Sequence, residues 1–304
     1  MTRLTSEEQV SAAQEIIKFA YESGVNFFDC ADAYSGGEAE RFLGRCLAPY
    51  RRSSLVISSK VYFPVGDGPN DRGLSRKHIF EQIDASLKNL QTDYLDLYFC
   101  HRYDEETPLE ETLQAMSDLV SQGKVLYYGV SEWTAPQLLE AQRIIEEKGL
   151  HPLSVIQPQY NMFDRYIEQQ EITDICKAHG IGIVAFSPLA QGLLTGKYRK
   201  GREIPEDSRA VYQRDHQVNR LLTEENLDIV EKLLPLAEQL GCSLSALALA
   251  WALRDPVVSS VICGASRAGQ LAQNIEAENI VLPPEMLEEI DRIFCYTKSV
   301  RKIG

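Results

Sequence analysis

The sequence predicts an α/β protein built on a parallel sheet, and three observations support this prediction. Seven short apolar runs recur along the 304 residues and alternate with amphipathic stretches that have helical spacing. The runs are apolar on both faces, as expected of strands that helices cover on both sides. The connections between them are mostly short, which suits repeated strand–helix units. This pattern is typical of a (β/α)8 barrel, and composition alone leaves a doubly wound open sheet as the alternative.

The elements follow in order along the chain. A first helix is predicted from Ser6 to Gly24, with no strand before it, and the tail "PPEMLEEIDRIF" predicts an additional helix. Two central helices are expected to end at Gly123 and Gly149, because glycine is favoured just after a helix. The predicted strands are 25–30, 55–59, 94–100, 125–130, 153–157, 182–186 and 258–263.

The number of predicted strands, seven, does not by itself decide between a closed barrel and an open sheet. A closed barrel of this class needs eight strands, so we expect that the first strand is absent. An open sheet could have seven, but no G-x-G-x-x-G motif follows any strand, which weakens that alternative. Residues 191–222 form a long polar connection that we interpret as a clamp over a ligand. Because no linker composition interrupts the chain, we predict one domain, residues 1–304.

Composition excludes several classes of function. The net charge of −13 argues against binding a nucleic-acid backbone, which requires a basic surface. Seven scattered cysteines without a C-x-x-C pair indicate reduced thiols and a cytoplasmic location, and they do not favour a metal site. No apolar run reaches the roughly 18 residues needed to cross a bilayer, so membrane insertion is not expected.

The ends of the predicted strands carry polar residues suited to catalysis. The first strand ends at Asp29, the second at Lys60 and the third at His101 and Arg102, while Tyr34 follows shortly after Asp29. Each has an ordinary explanation by itself, such as a solvated strand end or a turn residue. In a parallel barrel, however, the active site forms where the strands end. We therefore expect these side chains to meet.

Together, four of these residues form a proton-donating site. A phenol has a pKa of about 10 and donates a proton poorly at neutral pH. An ammonium beside it lowers that pKa, and a carboxylate keeps the ammonium charged and in place. We therefore predict that Asp29 pairs with Lys60 and that Lys60 lowers the pKa of Tyr34. Tyr34 would act as general acid toward a carbonyl oxygen, which His101 would orient.

Several motifs then resemble a known family. "FFDCADAYSGGEAERFLG", "LVISSK", "YLDLYFCHR", "GVSEW", "QPQYNMF", "AFSPLAQGLLTGKY" and "VICGAS" occur in the order found in the aldo-keto reductase superfamily. "RRSSLVISSK", "RGLSRKHI", "TPLEETLQAM" and "MFDR" resemble the branch that contains voltage-gated potassium-channel β subunits and their plant and bacterial relatives. The resemblance implies a (β/α)8 barrel that reduces small aldehydes and ketones with NADPH. Its catalytic tetrad matches Asp29, Tyr34, Lys60 and His101.

The resemblance also implies a set of cofactor-binding residues. Ser131 and Gln157 would hold the nicotinamide amide, Phe186 would stack on the ring, and Glu132 would accept a hydrogen bond. Ser187, Leu189 and Gly192 would bind the pyrophosphate, and Lys197 and Arg209 would close over the phosphates. The adenosine end would be held by Gly264, Ser266, Arg267, Gln270 and Asn274. Ser266 and Arg267 lie at a helix start, which favours a 2′-phosphate and hence NADPH over NADH.

Two features of the resemblance favour different functions. Animal channel subunits often have asparagine where this chain has His101, so the histidine favours an active reductase. The relatives also begin with a hairpin and a first strand that are not found here, which favours the alternative, a cofactor-binding regulatory subunit with little turnover. A metal-dependent hydrolase is a remote third possibility, because no cluster of His and carboxylate residues is found at the predicted strand ends of this sequence. The resemblance further implies a homo-oligomer, a tetramer in the channel branch.

Overall fold

The computed structural model describes residues 7–206, 208–212 and 217–296. Within these ranges the chain forms two compact units. The first contains the chain up to Gln157, Ile175–Gly182 and Ser266–Ala268, and the second contains Pro158–Asp174, Ile183–Ala265 and the chain from Gly269 onward. The two units are described separately below, and the prediction of one domain stays a prediction.

Strands and helices alternate through the described residues. The strands are β1 (Phe27–Asp29), β2 (Val56–Val61), β3 (Leu95–Cys100), β4 (Val125–Ser131), β5 (Val155–Gln157), β6 (Gly182–Phe186) and β7 (Val258–Ile262). The helices are α1 (Glu7–Glu22), α2 (Glu38–Leu47), α3 (Arg76–Leu90), α4 (Leu109–Ser121), α5 (Ala135–Lys148), α6 (Tyr166–Gln169), α7 (Ile172–His179), α8 (Arg209–Tyr212), α9 (Gln217–Leu221), α10 (Glu224–Gln239), α11 (Leu244–Ala252), α12 (Ala268–Ile275) and α13 (Pro284–Ile293). Each predicted strand is found within a few residues of its expected bounds, and the tail helix is present.

In the first unit, β1 to β5 pair in parallel and in sequence order. Their register aligns Asp29 with Ser58, Lys60 with Phe99, and Ser131 with Gln157. Because side chains alternate between the two faces of a strand, Asp29, Ser58 and Lys60 point to the same face. The parallel pairing with helices between the strands confirms the predicted α/β class.

Local sequence explains how the helices of the first unit begin and end. The Ser75 side chain accepts a hydrogen bond from the backbone N–H of His78 and so caps α3. Thr134 and Gln137 form a reciprocal capping box at the start of α5. Gly149 ends the same helix at φ 63°, which a glycine adopts without strain. Gly123, also predicted as a helix end, has φ 71° and follows the last turn of α4.

One glycine of β4 is required by close packing. A Cβ added at Gly129 would lie 2.5 Å from Val155 Cγ1 and 2.7 Å from Phe99 Cε1. The strands on both sides therefore press on this position, and Phe99 is aligned with Lys60. Because Gly129 has no side chain, Val155 and Phe99 can pack closely beside it.

The second unit contains the parallel pair β6 and β7 and most of the remaining helices. Every residue of α11 is buried. Glu168 lies at the centre of a buried ion network, with Arg165 Nη2 at 2.7 Å and Arg254 Nη2 at 2.8 Å. Asp291 of α13 binds Arg165 at 2.6 Å. This network joins α6, the end of α11 and α13 within the second unit.

The longest helices of the described ranges, α1 and α10, each have 16 residues. No helix there is by itself long and apolar enough to cross a bilayer, whereas the bent pair α10 and α11 meets the length and composition criteria when taken together.

Candidate active site

A buried ion pair lies at the centre of the candidate site. Lys60 of β2 is 0% exposed, and its ammonium contacts the Asp29 carboxylate at the end of β1. It also donates a hydrogen bond of 2.7 Å to the Cys30 backbone carbonyl. Burial lowers the pKa of Lys60, but the charge of Asp29 and the hydrogen bond to it outweigh this effect, so the pKa of the ammonium is raised overall. Lys60 therefore stays charged although it is enclosed.

Two further side chains hold Asp29 in place. Ser58 Oγ donates to Asp29 Oδ1 at 2.6 Å, and Gln157 Nε2 donates to the same oxygen at 3.1 Å. Ser131 Oγ in turn donates to the backbone carbonyl of Gln157 at 2.8 Å. A buried carboxylate is stable only with such partners. Gln157, expected at the nicotinamide, thus contacts Asp29 directly, and Ser131, expected there too, contacts Gln157.

Tyr34 lies in the turn after β1, close to the ammonium. Lys60 Nζ is 5.3 Å from the centre of the Tyr34 ring. Burial raises the pKa of the phenol above its usual 10, and the charge of Lys60 offsets part of this rise. We expected the ammonium to lower the pKa of Tyr34 overall. The charge of Lys60 does lower the pKa of Tyr34, as expected, but desolvation raises it by more. The phenol therefore remains protonated at neutral pH.

His101 lies immediately after β3 and faces two aromatic rings. Its imidazole packs edge-on against Tyr34 at 5.7 Å and against Phe63 at 4.7 Å between ring centres. Burial first, then the charges of Lys60 and Arg102, lower the pKa of His101 to about 3. The ring is therefore neutral and carries one N–H. Nδ1 is buried and has no hydrogen-bond partner among the described residues.

The sequence reasoning missed three contributors. Ser58 lies two residues before Lys60 on the same face of β2, a relation that the strand period predicts. Phe63 follows the same strand, but nothing in its spacing indicates a contact with His101. Asp32 is 4% exposed, and burial, followed by Glu40, raises its pKa to about 7. Its position behind the site depends on folding of the loop after β1 and has no sequence signal.

The segment predicted to bind the pyrophosphate is a tight turn after β6 in the second unit. Ser187 and Gln191 have φ values of 52° and 58°, in the left-handed region that residues other than glycine rarely adopt. Gln191 Nε2 donates to Ser187 Oγ at 2.7 Å, which supports the turn. No hydrogen bond within the described residues uses the backbone N–H groups of Ser187 and Leu189. Strained turns with unused donors are common at ligand sites.

Lys197 and Arg209, the two side chains predicted to bind the phosphates, lie beside this turn. A Cβ added at Gly192 would be 3.2 Å from Lys197 Nζ, so the lysine ammonium packs directly on the glycine. Arg209 of α8 donates to the Gln191 side chain. Phe186, the last residue of β6, precedes the turn, and its backbone bonds to Pro158 and Tyr160. Phe186, Ser187, Leu189, Gly192, Lys197 and Arg209 thus share one region of the second unit.

The remaining predicted residues are less closely connected. Glu132 follows β4 with φ 59°, a second left-handed position at a strand end. Gly264 follows β7, Ser266 and Arg267 precede α12, and Gln270 and Asn274 lie within it. Residues 207 and 213–216 of the expected clamp, 191–222, lie outside the described residues. The clamp and these adenosine contacts stay predictions.

The geometry of the first unit is suited to proton donation toward a polar double bond. A protonated phenol, a charged lysine and a neutral imidazole share one region, and the Asp29 carboxylate that contacts the lysine is neutralised by it. Within the described residues, no group of three or more His, Cys, Asp and Glu side chains is placed to hold a metal ion.

Comparison with known proteins gives a consistent result. The profile of the Aldo/keto reductase family matches residues 3–294. The chain is 44% identical over 289 residues to a protein of Arabidopsis thaliana named "Probable voltage-gated potassium channel subunit beta", covering 93% of this chain and 88% of the relative. An Oryza sativa subsp. japonica protein of the same name is 42% identical over the same coverage. The resemblance proposed from the motifs is confirmed: the chain belongs to the aldo/keto reductase family.

Proposed function

We propose that this protein is an NADPH-dependent reductase of small aldehydes and ketones. The observation that carries the proposal is Lys60, which is completely buried between the Asp29 carboxylate and the Tyr34 ring. An isolated buried ammonium is strongly unfavourable, and the pair with Asp29 removes that cost. What remains is a positive charge beside a phenol, which stabilises the phenolate as the proton leaves.

Each residue has a separate task in the reaction. Tyr34 donates its proton to the carbonyl oxygen as that oxygen becomes negative, and solvent then restores the proton. Lys60 stabilises the resulting phenolate, and Asp29 fixes the ammonium. His101, neutral because its pKa is about 3, donates its remaining N–H to the same oxygen and orients the substrate. Hydride chemistry would come from NADPH when it is bound: a hydride would add to the carbonyl carbon as Tyr34 protonates the oxygen, giving an alcohol and NADP⁺.

The residues present fit a nicotinamide dinucleotide. Gln157 and Ser131 place amide and hydroxyl groups next to the tetrad, where the carboxamide of a nicotinamide needs partners. Among the described residues, the backbone N–H groups of Ser187 and Leu189 donate no hydrogen bond, and Lys197 packs against Gly192. Amide donors and a cation together match a pyrophosphate.

Loss of NADPH absorbance with a panel of simple aldehydes tests the assignment. Tyr34→Phe should lower kcat by roughly 100- to 10,000-fold, the usual range for a general acid, while NADPH binding measured by fluorescence titration stays within about twofold. Tyr127→Phe serves as a matched control, because this tyrosine is 56% exposed. Equal rates in wild type and Tyr34→Phe would remove Tyr34 from the mechanism.

A second function has direct support from the named relatives. Proteins 42–44% identical to this chain are named potassium-channel β subunits. A regulatory protein would bind NADPH, turn over the aldehyde panel negligibly, assemble as a homo-oligomer and associate with a voltage-gated potassium channel in the cytoplasm. Light scattering of the full chain and co-purification with such a channel, measured beside the rate assay, separate the two functions. His101 favours the enzyme.

A further inference from the structure

Arg102 places a guanidinium next to the catalytic residues. Its Nη1 donates a hydrogen bond of 2.6 Å to the backbone carbonyl of His101. Its Cζ lies 5.4 Å from the centre of the Phe63 ring, and the same ring contacts the His101 imidazole. The carbonyl and the aromatic face hold the guanidinium beside the region where the carbonyl substrate is expected. The side chain is only half-buried, so solvent or a ligand can reach it.

The charge of Arg102 is not balanced by a carboxylate. Lys60 is neutralised by Asp29 and His101 is uncharged, whereas Arg102 has no ion pair anywhere in the described ranges. Its field nevertheless reaches the site. It adds to burial and to Lys60 in lowering the pKa of His101, and it opposes the burial that raises the pKa of Tyr34. Arg102 therefore places beside the tetrad a positive charge that no carboxylate of the described residues pairs with.

We propose that Arg102 binds a carboxylate carried by the substrate, so that the site prefers oxo-acids, aldehydes and ketones with an acid group, over neutral carbonyl compounds. This inference rests on the proposed reductase function. A guanidinium has five N–H donors. Within the part of the chain that the structure describes, Arg102 donates one hydrogen bond, so a planar carboxylate can be bound through two other donors. A single cation suits a monoanion, whereas a dianionic phosphate would require a second positive charge.

The expected preference follows from the strength of such a contact. A hydrogen bond to a charged group contributes about 1.5–3 kcal/mol, equivalent to a roughly 10- to 150-fold change in kcat/KM. The structural role is separable from this effect. If Arg102 only positioned His101 through its backbone carbonyl, its removal would impair neutral and acidic substrates equally, since both need the imidazole.

The test compares carboxybenzaldehydes with methylbenzaldehydes that carry the substituent at the same ring position. All three positional isomers are used, because they place the acid group at different distances from the carbonyl. Arg102→Met should lower kcat/KM for at least one carboxybenzaldehyde by roughly 10- to 150-fold and leave its methyl partner within about threefold. Arg102→Lys should restore part of the loss, since the charge returns without the planar fork. Arg143→Met, on the exposed face of α5, controls for net charge.

A binding measurement decides the inference independently of turnover. Calorimetry with the full chain and NADP⁺ compares the binding of a toluate anion, a benzoate with a methyl group on the ring, with the binding of the neutral toluamide that has the same ring pattern. If Arg102→Met weakens binding of the carboxylate but not of the amide, the inference is supported. This holds even if the wild-type protein reduces no aldehyde, because that result would overturn only the proposed reaction. Unchanged carboxylate binding and unchanged kcat/KM, or an equal loss for acidic and neutral partners, would overturn the role of Arg102. A melting curve for each variant verifies folding.

Discussion

Asp32→Asn should make the protein more stable at neutral pH although it removes an acidic residue near the candidate site. Asp32 is 4% exposed, its Oδ1 accepts the Ala33 backbone N–H at 2.6 Å, and its Oδ2 is buried without a partner among the described residues. The charged groups that act on it are Glu40, which raises its pKa, and Lys60, which lowers it. Burial is the largest cause, and together these effects raise the pKa to about 7.

The magnitude follows from the proton balance. The unfolded carboxyl releases its proton near pH 3.8, whereas the folded one holds it to about pH 7. The folded state therefore binds more protons across that window, and stability falls as pH rises from about 4 to 7. The difference between 3.8 and about 7, at about 1.4 kcal/mol per pH unit, gives roughly 4 kcal/mol. Asparagine keeps the acceptor for Ala33 and has no charge to bury.

Urea unfolding at a series of pH values from 4 to 8 measures this effect. The difference in unfolding free energy between Asp32→Asn and wild type should grow by up to about 4 kcal/mol in favour of the variant as pH rises, because contributions from all other groups cancel. The exposed Asp67 provides the control, since Asp67→Asn should give a flat difference. A difference for Asp32→Asn that is flat, or that grows toward low pH, would show that the folded carboxyl is ionised and would refute the reasoning.

Two further predictions concern the buried charges. Lys60→Met should destabilise the protein by about 3–5 kcal/mol in urea unfolding, because Asp29 would be left buried without its ammonium; the double variant with Asp29→Asn should recover much of the loss, and failure to recover it would argue against charge burial as the cause. Glu168 is held by arginines that outweigh the effect of its burial and lower its pKa to about 2, so its contribution is present above pH 4.5 and lost as pH falls toward 2. Glu168→Gln should therefore destabilise by about 3 kcal/mol at pH 7 and progressively less in acid, whereas a loss independent of pH would indicate packing alone.

The sequence was sufficient to predict the strands and the contact between Asp29 and Lys60, two of the predicted catalytic residues. Strand positions follow from runs of apolar residues whose length and β-branched content are local properties. Asp29, Lys60 and His101 lie at the ends of consecutive parallel strands, and parallel pairing brings those ends together. The topology alone thus places side chains that are 31 and 41 residues apart next to each other, and the contact between Asp29 and Lys60 confirms this placement.

What could not be predicted depends on burial and on contacts between distant loops. The pKa of Tyr34 rises because desolvation exceeds the field of Lys60, and the sequence contains no measure of desolvation. Asp32 differs from Asp29 only in its partners, since one has an ammonium and the other has an unpaired oxygen. The network around Glu168 joins residues 86 positions apart through Arg254, and no periodicity connects them.

The electrostatic arrangement of the first unit bears on the direction of the reaction. A reductase must present a proton donor, and an alcohol oxidase must present a proton acceptor. Burial keeps Tyr34 protonated, and the neutral imidazole of His101 retains an N–H to donate. In the proposed reaction, Lys60 would act mainly after proton transfer, when the phenolate forms beside the ammonium, so its stabilisation would be greater in the transition state than in the resting site. Arg102 would add positive charge without competing for that proton. If the proposed function holds, we expect these groups to be in the protonation states needed for carbonyl reduction, and not for alcohol oxidation, at neutral pH.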